Sequence, residues 1–200
     1  MAKANWVKVN PSQGSGDATV NVSSTAEHTG RVLRTTILTW KAANVADIQR
    51  VVNQAGKPEY VDIADAASAD KAGKVVTISG VSNSKKLTFS LGTGDLVITL
   101  PSSYTANSLN TNNGAAISGD PGAVAEYNFS IVITVPANED ITAKTRQIIV
   151  TDEGGHQDVC TLTSAAGDAY VTIAEGDIEL DYLGTPVAVE VKSNTTWSIE

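Results

Sequence analysis

Two hundred residues accommodate one large domain or two β-sandwich modules, and 42% apolar content is enough to fill a core. The formal charge of −8 and an isoelectric point near 4.7 exclude nonspecific binding to nucleic acid or an anionic membrane, both of which need basic surface. Cys160 is the sole cysteine, so no intrachain disulfide forms, and two Phe, five Tyr and three Trp leave an aliphatic core.

In chain order, Met1 to Trp6 has no apolar h-region, no lipobox cysteine and no small-residue cleavage site. No run approaches the roughly 20 apolar residues of a membrane span. The expectation is a chain that stays in the cytoplasm where it is made or leaves inside a particle. Helical periodicity is nearly absent. Period-2 runs predict strands at Ala18–Val22, Arg34–Thr39, Ile48–Val52, Val75–Ile78, Leu96–Leu100, Phe129–Val135, Gln147–Thr151 and Val187–Val191. Ala43 to Arg50 reads as a loop leading into its strand, and Glu153-Gly154-Gly155-His156 as a hairpin turn. Residues 102–128, rich in Ser, Asn, Gly and Ala, read as a long surface loop with a turn at Asn113-Gly114. Cys160, inside the alternating Asp158–Leu162, reads as a buried structural thiol.

An internal repeat organises these strands. Gln54 to Ala64, with Tyr60-Val61-Asp62-Ile63, returns as Ala165 to Ala174, with Tyr170-Val171-Thr172-Ile173. Gly73 to Ile78 and Ser82-Asn83 return as Gly184 to Val189 and Ser193-Asn194. Arg34–Ile37 before Val51–Gln54 matches Arg146–Ile149 before Cys160–Thr163, and Asn5–Pro11 matches Asp95–Pro101. The reading is an all-β chain of immunoglobulin-like sandwich modules. Residues 58–167 hold a complete module, 1–57 the second half of another, and 168–200 the first half.

A half sandwich exposes strand edges and one side of a core, both sticky in water. The terminal pieces also differ in charge. Residues 1–57 carry seven basic and three acidic residues, net +4, whereas 168–200 carry one basic and seven acidic, net −6. Two closures are open: the chain's own ends pair, or the C-terminal half completes the N-terminal half of a neighbouring subunit.

Trp6-Val7-Lys8-Val9-Asn10-Pro11-Ser12-Gln13-Gly14-Ser15-Gly16-Asp17, then Arg34–Ile37 and Val52–Gly56, resembles the BACON family of immunoglobulin-like modules in gut Bacteroidetes proteins. Val187–Val191, Ser193-Asn194 and Trp197-Ser198-Ile199 resemble the first half of that pattern. The resemblance implies secreted carbohydrate-active proteins or virion proteins of gut phages, including crAss-like phages. Without a secretion signal the expectation is a virion component, a capsid decoration or head fibre, with other virion proteins and copies of itself as partners. The alternative is a carbohydrate- or mucin-binding module.

The residues that carry this reading are structural. Trp6, Val7, Val9, Val20 and Val22 from one half should form a split core with Val187, Val189, Val191, Trp197 and Ile199 from the other. Trp40, at a strand end beside Lys41, is the candidate glycan contact. His28 and His156 read as exposed turn histidines, and no catalytic, phosphate-loop or zinc motif accompanies them. Glu175, Asp177, Glu179 and Asp181 alternate with Ile178 and Leu180, which reads as the solvated face of a strand rather than a calcium site. No enzyme activity, cofactor or metal is expected.

Overall fold

The computed structural model describes residues 3–200. The strands are β1 (Val7–Asn10), β2 (Asn21–Ser24), β3 (Arg34–Ala42), β4 (Val45–Gln54), β5 (Val61–Ile63), β6 (Ala66–Ala69), β7 (Lys74–Ser82) and β8 (Leu87–Gly94). They continue as β9 (Ser103–Ala106), β10 (Leu109–Asn112), β11 (Tyr127–Val135), β12 (Lys144–Asp152), β13 (Gln157–Ser164), β14 (Val171–Ile173) and β15 (Val191–Ser193). A single 3₁₀ turn, Pro121–Ala123, is the only helical element among the described residues, and no helix is long and apolar enough to cross a membrane.

The protein is all-β. Residues 61–164 form a two-sheet sandwich. One sheet runs β10-β9-β11-β7-β5, and the other β6-β13-β12-β8 with only the β6–β13 pair parallel. Strand alternation explains the layering. On β11, Tyr127, Phe129, Ile131, Ile133 and Val135 are buried, and Asn128, Val132 and Thr134 face out. Facing them are Leu87 and Phe89 of β8, Ile148 and Val150 of β12, and Cys160 and Leu162 of β13. Phe89 packs on Tyr104 and Phe129 at ring-centroid distances of 5.0 and 5.9 Å.

Outside this sandwich the strands form three separate two-stranded ladders: β1–β2, β3–β4 and β14–β15. Thr25 N donates to Trp6 O, and Ala4 N to Thr36 Oγ1, which ties the first ladder to the second.

Four sequence expectations change. Residues 103–112 are a β-hairpin on the edge of β11 rather than surface loop, and Tyr104, Ala106 and Ile117 of the 102–128 stretch lie in the core. Ala43–Arg50 is strand from Val45 onward. Leu96–Leu100 does not pair, because Asp95 N and Leu96 N both donate to Thr145 O and turn the chain off the sheet. Glu175–Glu190 is irregular, and β15 starts only at Val191, because its three-residue partner β14 stops there.

Candidate functional site

The terminal ladders repeat pairings of the central sandwich. β14–β15 pairs Val171 with Ser193 and Ile173 with Val191, as β5–β7 pairs Val61 with Ser82 and Ile63 with Gly80. Tyr170 N donates to Asn194 Oδ1 at 3.0 Å, as Tyr60 N does to Asn83 Oδ1 at 3.0 Å. Ser193 Oγ donates to Tyr170 O as Ser82 Oγ does to Tyr60 O. The β3–β4 hairpin pairs Arg34 with Gln54, Leu38 with Arg50 and Trp40 with Ile48. The β12–β13 hairpin pairs Lys144 with Ser164, Ile148 with Cys160 and Val150 with Asp158, which corrects the sequence repeat: the hairpin sets Arg34 at the place of Lys144 rather than Arg146, and Gln54 at that of Ser164 rather than Thr163.

Local structure is therefore shared, but burial is not. Val76, Ile78, Leu87 and Phe89 are at most 7% exposed in the central sandwich. Their counterparts Val187, Val189, Trp197 and Ile199 are 40–84% exposed. In the N-terminal half, Leu38 matches Ile148 and is buried, but Trp40 matches the fully buried Val150 and is 40% exposed. Among the residues expected to form the split core, Val7 is buried, Trp6, Val9, Val20 and Val191 are half-buried, and Val22, Val187, Val189, Trp197 and Ile199 are exposed. The Arg34 guanidinium lies 4.6 Å from the Trp6 ring centroid and covers that ring instead of Trp197.

Between β1–β2 and β3–β4 lies an open cleft of ≈ 700 Å³, lined by Val9, Val20, Leu38 and Trp40 with Lys3, Lys41 and the Pro11–Gly14 loop.

Each terminal segment is anchored by a similar joint, at opposite ends of the central sandwich. At one pole the buried Asn83 donates through Nδ2 to Thr29 O, Lys57 O and Pro58 O. At the other, Asn194 Nδ2 donates to Glu139 O and Asp168 O. Lys57 N to Gly30 O corresponds to Gly167 N to Asp140 O. The first joint has more. Arg31 forms a bidentate ion pair with Asp120 and donates to Asn83 O, and the amides of Arg31 and Val32 donate to Gly122 O and Ala123 O. The Asp120 side-chain hydrogen bond to Arg31 holds that carboxyl below the usual carboxylate range. Any side chain at Gly122 would run into the Asn83 carbonyl, and any at Gly30 into Val124. At the second pole Lys71 pairs with Asp168.

His28 is a correction: it is buried rather than an exposed turn histidine. Its Nε2–H donates to Val32 O at 2.7 Å, closing a loop equivalent to the one that Asn138 Nδ2 closes onto Thr142 O. His156 is exposed, and its Nδ1 meets the buried Asp152 carboxylate at 2.8 Å, which fixes the β12–β13 turn. Cys160 is buried, and burial pushes its thiol up to about 11. In the acidic row, Asp181 is committed to a turn, accepting from Leu183 N, Thr185 N and Thr185 Oγ1. Arg31, Asp120 and the role of Asn83 escaped the sequence reading. The one available signal was the recurrence of Ser-Asn after each first-half strand.

No family model matches the chain, and no curated protein matches it. Among solved structures, the chain is similar to an endo-fucoidan hydrolase from glycoside hydrolase family 107, at 7% identity and a TM-score of 0.33, over 82% of this chain and 22% of that one. It is also similar to the collagen binding domain of the Erysipelothrix rhusiopathiae surface protein RspB, at 9% identity and a TM-score of 0.20, over 74% of this chain and 63% of that one. The chain thus spans about a fifth of the first and under two thirds of the second.

Proposed function

We propose that the protein is a non-enzymatic structural component of a phage virion, a capsid decoration or head fibre, that assembles through immunoglobulin-like modules and strand complementation. One observation carries the assembly part. The same module-to-module joint occurs twice in the chain, at Ser82-Asn83 and at Ser193-Asn194, with matching hydrogen bonds. A joint reused in this way is how a rod of repeating modules is built. The virion setting rests on the resemblance of residues 6–17, 34–37, 52–56 and 187–199 to BACON modules.

Peptide mass spectrometry of density-banded particles from a producing culture tests this reading. Many copies per particle are expected. Confinement of the chain to the soluble lysate would contradict it.

The cleft beside Trp40 favours a second reading, carbohydrate or mucin binding, since a half-exposed indole at a concave surface is a stacking platform for a sugar. A glycan-array signal lost on Trp40→Ala is its expected signature, and a flat array sets it aside.

A further inference from the structure

We infer that the strap formed by residues 113–117 is a guard on the edge of β8, and that it stops copies of this chain from joining sheet to sheet through that strand. The inference stands apart from the virion, glycan and strand-complementation readings above, since every residue in it belongs to the central sandwich.

The hazard lies in the strand itself. β8 is the last strand on its side of the four-stranded sheet, with β12 as its neighbour and no strand beyond it among the described residues. Leu87-Thr88-Phe89-Ser90-Leu91-Gly92-Thr93 carries no charge and no proline. Such a run on a sheet edge is a template for any free strand, because its outward N–H and C=O groups need partners. A charged side chain is the usual block, and this run has none.

The strap supplies a different block. Asn113 Oδ1 accepts from Phe89 N at 2.7 Å, and Asn113 Nδ2 donates to Phe89 O at 3.0 Å. One side-chain amide thus makes both bonds that a neighbouring strand would make there. Gly114 N donates to Leu87 O, Ile117 N donates to Lys85 O, and Lys86 bridges Ala116. The edge is therefore occupied from Lys85 to Phe89. A further strand would satisfy the same groups but would present a free edge of its own. A side-chain amide ends the sheet, because it offers the next strand no ladder to extend.

The strap is held from behind. Asn113 N donates to Ser102 O at 2.8 Å and Ala115 N to Asn112 O at 3.0 Å, which folds the chain back after β10. Gly114 takes a φ of +76°, a conformation that side chains disfavour, and so lets the turn pass beside β8. Ile117, 3% exposed, seats the far end of the strap in the core. Removing the Asn113 amide frees the Phe89 groups without taking any apolar side chain out of that core.

The parent and Asn113→Ala, both as full chains, are compared by amide hydrogen exchange and by sedimentation velocity at matched concentrations. In dilute solution the Phe89 amide of Asn113→Ala should exchange about tenfold faster or more, the protection that one lost bond carries. At higher concentration its average mass should exceed the parent's. Adding Ser90→Lys, at an exposed position of the same strand, should return the mass to the parent's level while Phe89 stays fast. Three outcomes would overturn the inference. The first is a parental mass in Asn113→Ala with Phe89 exchanging freely, which would make the strap a brace for the hairpin and nothing more. The second is a Phe89 amide as slow as the parent's in dilute solution. The third is added mass that Ser90→Lys leaves in place, since the contact would then lie elsewhere. Asn113→Asp keeps an acceptor for Phe89 N and sets a carboxylate against Phe89 O, so it opens the same edge by a smaller change. If the alanine chain fails to fold, a raised mass in the aspartate chain supports the inference and a parental mass overturns it.

Discussion

Single residues hold the joints, and their burial sets what each is worth. Asn83 is fully buried, with its amide donating to three carbonyls and its oxygen accepting from Tyr60 N. Removing it strands those groups, and an unsatisfied buried partner costs about 1–3 kcal/mol. Asn83→Ala should therefore lower stability by about 3 kcal/mol in a denaturant titration. Asn194→Ala, at the partly exposed counterpart of that joint, should cost less than about 1 kcal/mol by the same rule. Equal losses would show that burial does not set what each joint is worth. The Arg31–Asp120 pair makes the first joint sensitive to acid. Asp120 is held below its unfolded range, so its stabilisation is present above pH ~4 and lost as pH falls below that. The pair is partly exposed, which limits the effect to about 1 kcal/mol or less. Melting of Asp120→Asn should fall below that of the parent at neutral pH and approach it as the pH falls below the usual carboxylate range.

At the scale of elements, the β9–β10 hairpin decides whether 102–128 is a loop or part of the fold. Tyr104 is 3% exposed and packs on Phe89, so Tyr104→Ala should cost about 3 kcal/mol, the range for emptying an aromatic site in a core. A loop residue would cost almost nothing, and thermal unfolding separates the two. This hairpin was illegible in the sequence because Ser103-Tyr104-Thr105-Ala106 puts only two apolar side chains inward, amid polar residues. β11, with five inward apolar positions, announced itself through its alternation. Leu96–Leu100 alternates equally well but is drawn off by a distant carbonyl, Thr145 O, which no local pattern reveals. The joints are illegible for the same reason. Asn83 reaches back 54 residues to Thr29, and Arg31 forward 89 to Asp120. The repeat, by contrast, was legible because Tyr-Val-x-Ile and Ser-Asn must recur wherever the same pairing is rebuilt.

For the whole molecule, the governing fact is an asymmetry of burial between copies of one pattern. The buried hydrophobic core from Val61 to Leu162 is self-contained. The segments on either side repeat its local pairing but leave Val187, Val189, Trp197, Ile199 and Trp40 in water. Burying one such aliphatic side chain is worth about 1.5–3 kcal/mol. That is roughly ten- to a hundredfold in a dissociation constant. Val189→Asp should thus weaken association by at least tenfold while leaving the central sandwich folded, as read by near-ultraviolet circular dichroism. The opposite charges of the two halves add a salt dependence, so association should weaken as ionic strength rises.

The mass of the intact chain in solution, followed by light scattering over a dilution series, reaches the central claim most directly. Assembly through strand complementation predicts an average mass that climbs with concentration and that collapses to one chain in Val189→Asp. A mass fixed at 20.8 kDa across the series would contradict it.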